Sequence, residues 1–350
     1  MATILMKGNE AIGEAAIIAG CRFYFGYPIT PQNELPAYMA ARLPKVGGTF
    51  LQAESEVAAI NMVYGAAAAG ARVMTSSSSP GMSLKQEGIS YLAGAELPAV
   101  VVNMMRGGPG LGNIAGAQGD YFQAVKGGGN GDYHSIVLAP ATVQELADLT
   151  VKAFDLADQY RMVVIILGDG FTGQMSEPIT LPAASGKTFD KSAWSLTGAQ
   201  GRRTHLVASM RLNPDDALAG LNEHLQEKYR EVERREAMSE SLELEDADTL
   251  VVAFGLSARI CRSAVSASRK SGIKAGLFRP ITVWPFPSTA LAAAAAGKKK
   301  VLVVEMNAGQ MVQDVRLAIN GAVPVELYST LGGLTPQVDQ VVERISNHVG

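Results

Sequence analysis

Cysteine is nearly absent: the 350 residues include only Cys21 and Cys261, far apart along the chain. An iron–sulfur cluster is ordinarily held by four thiolates, so this chain alone cannot build one, and one-electron carriers must sit in other polypeptides. Nothing in the spacing supports a disulfide, and a reducing cytoplasmic setting is expected. Histidine is almost as scarce. His134, His205, His224 and His348 show no ligand spacing, so no metal site is expected. No apolar run reaches the roughly 18 residues of a membrane span, and the alanine run Ala292–Ala296 is short. The opening Met1–Gly8 lacks the basic start and apolar stretch of a signal peptide, and Glu10 and Glu14 follow at once. Neither charge sign dominates: a net charge of −3 calls for neither nucleic acid nor an anionic membrane as partner.

What is abundant is small and apolar. Hydrophobic residues make up 47% of the chain and 37 residues are glycine, a composition suited to tight helix-on-sheet packing. Apolar strands alternate with helices through the first two thirds. Strand-like runs lie at Arg22–Phe25, Ala71–Thr75, Ala99–Asn103 and Met162–Leu167. Helical spacing covers Asn9–Ala19, stopping at Gly20, and Glu56–Ala69. The capping box Thr142-x-x-Glu145 opens a helix to about Tyr160. This alternation predicts an α/β fold with a doubly wound, mostly parallel sheet, whose ligands gather beyond the carboxyl ends of the strands. A mixed-charge stretch, Glu227–Glu236, reads as a solvated helical connector. Strands at Thr249–Phe254, Ala275–Phe278 and Lys300–Val304, with a helix from Ala258, predict a second, smaller α/β domain. The expected division is 1–222, a charged connector 223–248, and 249–350.

The unusual segments follow strand ends. In Tyr27-Pro28-Ile29-Thr30-Pro31 two prolines restrict the backbone and hold the Thr30 hydroxyl in one place, unless the segment is only a rigid turn with Pro31 opening the next helix. Glu54 and Glu56 precede a helix too apolar to be exposed. Either could merely favour the helix dipole, or a partly desolvated carboxylate could share a proton with a ring nitrogen. Arg106 opens Arg106-Gly-Gly-Pro-Gly-Leu-Gly112, where glycines let backbone approach a ligand and a guanidinium can grip a carboxylate in bidentate fashion. Thr75–Gly81, with Ser79 and Pro80, offers hydroxyls and amides but no nucleophile-elbow frame and no histidine base. Gly168-Asp169-Gly170 lacks the asparagine that a thiamine-diphosphate metal motif places shortly downstream. The next one is Asn213, so Asp169 reads as a strand-end turn residue or one that faces a partner.

At these residues the sequence resembles the 2-oxoacid:ferredoxin oxidoreductase family, in its alpha-type, pyrimidine-side subunit. The resemblance is carried by Gly26–Pro31, Glu54-Ser-Glu56 with its alanine-rich helix, Thr75–Gly81, Arg106-Gly-Gly-Pro109 and Gln118-Gly-Asp120. It continues through Gly131-Asp-Tyr133, Leu138-Ala-Pro140 and Glu305-Met-Asn307-x-Gly309-Gln310. Met74–Pro80 and Arg106–Gly112 look most like the branched-chain, 2-oxoisovalerate type.

The resemblance implies a pyrimidine-binding-type domain followed by a transketolase C-terminal-like domain. It implies oxidative decarboxylation of a 2-oxoacid with coenzyme A to acyl-CoA, CO2 and reduced ferredoxin. Thiamine diphosphate would be shared with a beta-type subunit that holds Mg²⁺ and the diphosphate. Gamma-type and ferredoxin-like delta-type subunits would carry the iron–sulfur clusters. Glu56 would bond the aminopyrimidine, Thr30 and Arg106 would contact the substrate's oxo and carboxylate oxygens, and Tyr27, Pro28, Ile29, Ser79 and Pro80 would line the cofactor.

The same chemistry on 2-oxoglutarate or an aromatic 2-oxoacid fits these motifs too. A scaffold that kept the fold and lost the chemistry is the alternative of another class, opposed by the joint presence of Thr30, Glu56 and Arg106. A nicotinamide or flavin enzyme is opposed by the poor G-x-G-x-x-G spacing of Gly107–Gly112.

Overall fold

A computed structural model of the chain describes residues 3–199, 201, 204–211 and 217–347. Asn213 and His348 lie outside them. In chain order, the first half runs β1 (Thr3–Lys7), α1 (Gly8–Ile18), β2 (Phe23–Gly26), α2 (Glu34–Arg42), β3 (Thr49–Gln52), α3 (Glu56–Ala68) and β4 (Val73–Ser77). It continues with α4 (Ser79–Gly94), β5 (Ala99–Met105), α5 (Tyr121–Val125), β6 (Ile136–Leu138), α6 (Val143–Tyr160), β7 (Val163–Asp169), α7 (Gly170–Gln174) and β8 (Ser176–Thr180). Then come α8 (Ala217–Glu236), β9 (Ser239–Leu242), β10 (Thr249–Val252), α9 (Gly255–Lys270), β11 (Ala275–Pro280) and β12 (Thr282–Trp284). The remainder is α10 (Ser288–Ala295), β13 (Lys300–Glu305), α11 (Met311–Ile319), β14 (Val325–Ser329) and α12 (Val338–Ser346).

The larger sheet has seven strands in the order β12-β6-β7-β5-β4-β2-β3, parallel except at the β12–β6 edge. Its central strands β5 and β7 are buried at every position, which is why their sequences are continuous apolar runs rather than alternating ones. Helices α1 and α6 pack together, as do α3 and α4. The smaller sheet runs β14-β13-β10-β11-β9, with β9 the antiparallel edge. No helix among the described residues is long and apolar enough to cross a membrane.

Several local expectations are altered by tertiary contacts. The Thr142 hydroxyl caps α6 by accepting from Glu145 N at 3.1 Å, but the Glu145 carboxylate turns to Ala141 N and to a bidentate pair with Arg279 at 2.6 and 2.7 Å. Only half of the capping box forms, because Glu145 is used to join the two sheets. Helix α8 is not a bare solvated connector: Leu225, Tyr229 and Val232 recur at helical spacing and are buried. Tyr229 meets Trp284 edge-on at 5.8 Å, beside the stacked pair His134 and Trp284 at 4.6 Å. Strand β9 falls inside the stretch read as connector and edges the smaller sheet, whereas β12, from the later region, edges the larger one.

The two sheets are joined by two of the quoted motifs. The Gln118 side chain donates to Phe254 O at 2.9 Å and accepts from Ser257 Oγ and Met306 N. Asn307 Nδ2 donates to Gln118 O at 2.9 Å, and Asn307 Oδ1 accepts from Gly309 N and Gln310 N. Glu305, fully buried, accepts from Met311 N and Val312 N at the start of α11.

Candidate functional site

The carboxyl ends of β3, β2, β4 and β5, four adjacent strands, each release one of the unusual segments. Leaving β2, the Tyr27–Pro31 segment is held from behind by buried Asn9, whose Nδ2 donates to Pro31 O at 3.0 Å and to Glu34 Oε2 at 2.9 Å. Pro31 packs on Gly170, where a Cβ would stand 2.6 Å from the proline ring. Pro31 does not open the next helix; α2 begins at Glu34. The Thr30 hydroxyl accepts from Asn33 Nδ2 at 3.2 Å. Tyr27 and Pro28 are exposed, and Ile29 is half-buried.

Glu56 is the first residue of α3, behind Ser55, whose hydroxyl caps the helix by accepting from Ala58 N at 3.1 Å. It is 6% exposed, while Glu54 faces solvent. A Cβ on Gly81 would stand 2.5 Å from Glu56 Oε1 and 2.1 Å from Ser77 Oγ, so this turn of α4 seats the carboxylate only because position 81 has no side chain.

Ser79 opens α4, with half-buried Pro80 behind it. Its hydroxyl donates to Asp120 Oδ2 at 2.6 Å and accepts from Arg106 N at 3.0 Å. Asp120 also accepts from Asn103 Nδ2 at 2.9 Å. Burial pushes the Asp120 carboxyl above its ordinary range, against the pull of these two bonds. Arg106 is 8% exposed, and its guanidinium donates to Thr30 O at 2.9 Å and Leu111 O at 3.0 Å. Thr30 and Arg106 therefore touch directly. The bidentate fork expected for a carboxylate is engaged by protein carbonyls, and only Nε remains buried without a partner.

That Nε has company. Gln32 Nε2, Ser77 Oγ, Ser78 Oγ and Asn103 Oδ1 are likewise buried and unpartnered, all near the ends of β2, β4 and β5. Buried polar groups are normally satisfied, so this concentration of unmet hydrogen-bonding capacity fits a polar ligand beside Glu56. Gln32 was not singled out from sequence. Its carboxamide oxygen accepts from Ser76 Oγ, which is also 2.5 Å from the Tyr24 hydroxyl. Asn103 and Asp120 stand at the ends of the quoted segments Ala99–Asn103 and Gln118-Gly-Asp120, but neither was given a role. The only signal for Gln32 was a polar residue directly after Pro31.

Asp169 is the N-cap of α7, accepting from Phe171 N and Thr172 N at 3.0 Å, which makes it a strand-end turn residue. Among the described residues no group of three or more histidine, cysteine, aspartate or glutamate side chains is arranged to hold a metal. Cavities of about 550 and 860 Å³ open elsewhere, around Lys274 and Lys300 and between α8 and Phe286–Ala293; neither is lined by Thr30, Glu56 or Arg106.

Comparison with known proteins assigns the chain to a family. Residues 14–241 match the thiamine-diphosphate-binding model of pyruvate flavodoxin/ferredoxin oxidoreductases, and residues 247–341 match core domain II of pyruvate:ferredoxin oxidoreductase. The ketoisovalerate oxidoreductase subunit VorB of Methanothermobacter thermautotrophicus is 51% identical over 350 residues, covering 100% of this chain and 99% of its own. The 2-oxoglutarate synthase subunit KorA of Methanothermobacter marburgensis is 37% identical, with 97% of each chain covered. A 2-oxoglutarate:ferredoxin oxidoreductase from Magnetococcus marinus, solved with 2-oxoglutarate, coenzyme A and succinyl-CoA bound, superposes with a TM-score of 0.89 at 30% identity. The match covers 98% of this chain and 64% of that one. A split-gene transketolase shares the fold at a TM-score of 0.61 and 14% identity. The chain is thus an alpha-type subunit and belongs to the 2-oxoacid:ferredoxin oxidoreductase family.

Proposed function

We propose that this chain supplies the aminopyrimidine half of a thiamine diphosphate site that oxidatively decarboxylates a branched-chain 2-oxoacid of the 2-oxoisovalerate type. Coenzyme A takes the acyl group and ferredoxin the electrons. The observation that carries this is Glu56: a carboxylate buried at a helix start, seated on a glycine, beside a cluster of unmet donors and acceptors.

The chemistry the cofactor brings is a nucleophilic ring carbon and an electron sink. Glu56 would hydrogen-bond the pyrimidine ring nitrogen of the bound cofactor and so would favour the tautomer that activates it. The Thr30 hydroxyl and Arg106 Nε orient the 2-oxoacid through its oxo and carboxylate oxygens, and Gln32 Nε2 and the Ser77 and Ser78 hydroxyls supply further bonds. Tyr27, Pro28, Ile29, Ser79 and Pro80 form the wall on the cofactor side.

The diphosphate and its Mg²⁺ belong to a beta-type subunit, and the clusters to gamma- and delta-type partners in the cytoplasm. Supporting a partner over the site, Val57, Leu84 and Tyr91 on α3 and α4 are exposed apolar side chains on the helices that frame Glu56. The branched-chain assignment rests on the 51% identity to a ketoisovalerate subunit against 37% to a 2-oxoglutarate subunit.

The test is Glu56→Gln in the assembled complex. Subunit assembly should be unchanged, and 2-oxoacid-dependent viologen reduction should fall to no more than a few per cent. Greater residual turnover removes Glu56 from the reaction.

A further inference from the structure

One buried charge near the site is not explained by the contacts around it. Lys85 is fully buried, and its ammonium makes a single described hydrogen bond, to the Thr75 hydroxyl at 3.0 Å. Lysine is almost never fully buried unless paired, because desolvating an ammonium is costly and three donors need acceptors. Among the described residues no carboxylate forms an ion pair with it. A methionine would fill the same space without that cost, so packing alone does not account for a lysine.

The helix geometry shows where the charge is directed. Lys85 lies four residues after Gly81 and shares its face of α4, the face on which a Cβ at position 81 would meet Glu56. The Glu56 carboxylate on α3 favours the charged form of Lys85. Asp120 and Arg106 reach α4 at its first residue, Ser79, where each is already bonded. Strands β4 and β5 contain no titratable side chain, and Asp169, at the end of β7, is bonded to the start of α7. On α4 itself Glu87 is exposed and accepts from the Tyr91 hydroxyl at 2.6 Å. Burial pushes the Lys85 ammonium down to about 8, with Glu56 pulling the other way.

We propose that Lys85 is a positioning residue for Glu56: its buried ammonium is the counter-charge that holds the carboxylate at the mouth of the pyrimidine pocket. The role of Glu56 in the reaction is taken from the function proposed above, but the coupling between the two side chains is a separate claim and is tested separately.

The experiment is a double-mutant cycle on the complex as it co-purifies with its partners, freed of cofactor, with melting temperature at pH 7 as the readout. Lys85→Met in the wild-type background should lower the melting temperature, since the buried Glu56 carboxylate then loses its counter-charge. In a Glu56→Gln background the same substitution should lower it less or raise it, because no carboxylate is left to strand and an unpaired buried ammonium is removed. Equal shifts in the two backgrounds, or a larger drop in the Glu56→Gln background, overturn the coupling and leave Lys85 a packing residue. Should Lys85→Met not assemble, Lys85→Gln enters the same cycle with the same criterion.

Turnover supplies the second readout. Lys85→Met should move the acid limb of the kcat/KM profile to higher pH, whereas a purely structural lesion lowers activity equally at every pH. If Glu56→Gln turns over normally, the catalytic reading fails while the melting cycle still judges the coupling. If Glu56→Gln is inactive and the cycle shows no coupling, only the Lys85 proposal fails.

Discussion

Gly81 and Glu56 are in near contact across the α3–α4 interface, with 2.5 Å between Glu56 Oε1 and the place a Cβ at position 81 would take. One methyl group there must displace either the carboxylate or the Ser77 hydroxyl. Gly81→Ala should cost about 1–3 kcal/mol from overpacking and reduce kcat far more than the loss of folded protein explains. Chemical denaturation and steady-state turnover on the same preparation separate the two effects.

Arg106 offers a different kind of test, because its guanidinium already bridges Thr30 O and Leu111 O. Arg106→Ala should raise the apparent KM for the 2-oxoacid and leave that for coenzyme A unchanged. Arg106→Lys should not rescue it, since one ammonium cannot span two carbonyls and still present a donor to a substrate. An unchanged 2-oxoacid KM in Arg106→Ala rejects the carboxylate contact.

Much of this was legible beforehand, for a physical reason. Strands β5 and β7 are buried on both faces, so they read as nearly unbroken apolar runs, and the peculiar Pro, Gly and Ser segments at the strand ends stood out against them. Glu56 was preferred over Glu54 on sequence pattern, and its burial supports that preference. Residues whose roles depend on long-range partners were not legible. Asp120 matters through Ser79 and Asn103, which are 41 and 17 residues away. Lys85 did leave a trace, as a lysine among Gly81, Gly88, Ile89 and Leu92 on an otherwise apolar face. The α8 stripe of Leu225, Tyr229 and Val232 was masked by the dense charge around it.

Asp120 gives a pH signature. Its carboxyl is raised above 3.8 chiefly by burial, so between 3.8 and the raised value the native state holds more protons than the unfolded one. Stability therefore falls as pH rises through that window. Asp120→Asn keeps an acceptor for Ser79 and lacks the titration, so its stability should gain on the wild type as pH rises. Urea unfolding of both proteins from about pH 4 to pH 7 measures the difference.

The joint between the sheets should be sensitive at Asn307, which donates to Gln118 O and accepts from Gly309 N and Gln310 N. Asn307→Ala leaves a buried carbonyl and two amides unsatisfied and should destabilise by about 1–3 kcal/mol. Differential scanning calorimetry would register this as a lower melting temperature.

Arg72 clamps Asp155 at 2.9 Å and Asp158 at 2.8 Å, two carboxylates whose side chains are only 8% and 4% exposed. Arg72→Met strands Asp155 and leaves Asp158 with Lys191 alone at 2.5 Å, and should cost about 3–5 kcal/mol. Because the cluster is remote from Glu56 in its contacts, turnover per folded molecule should be unchanged.

The short strand Thr282–Trp284 comes from late in the chain yet borders the sheet built by its first half, along Ile136–Leu138. The two halves therefore cannot be divided at any single peptide bond without tearing a ribbon from one of them. A protein ended near residue 245 would bare the backbone of β6, an unpaired edge that invites sticking to other chains. Evolutionary or laboratory splitting of this polypeptide would have to carry those three residues along or put another border in their place.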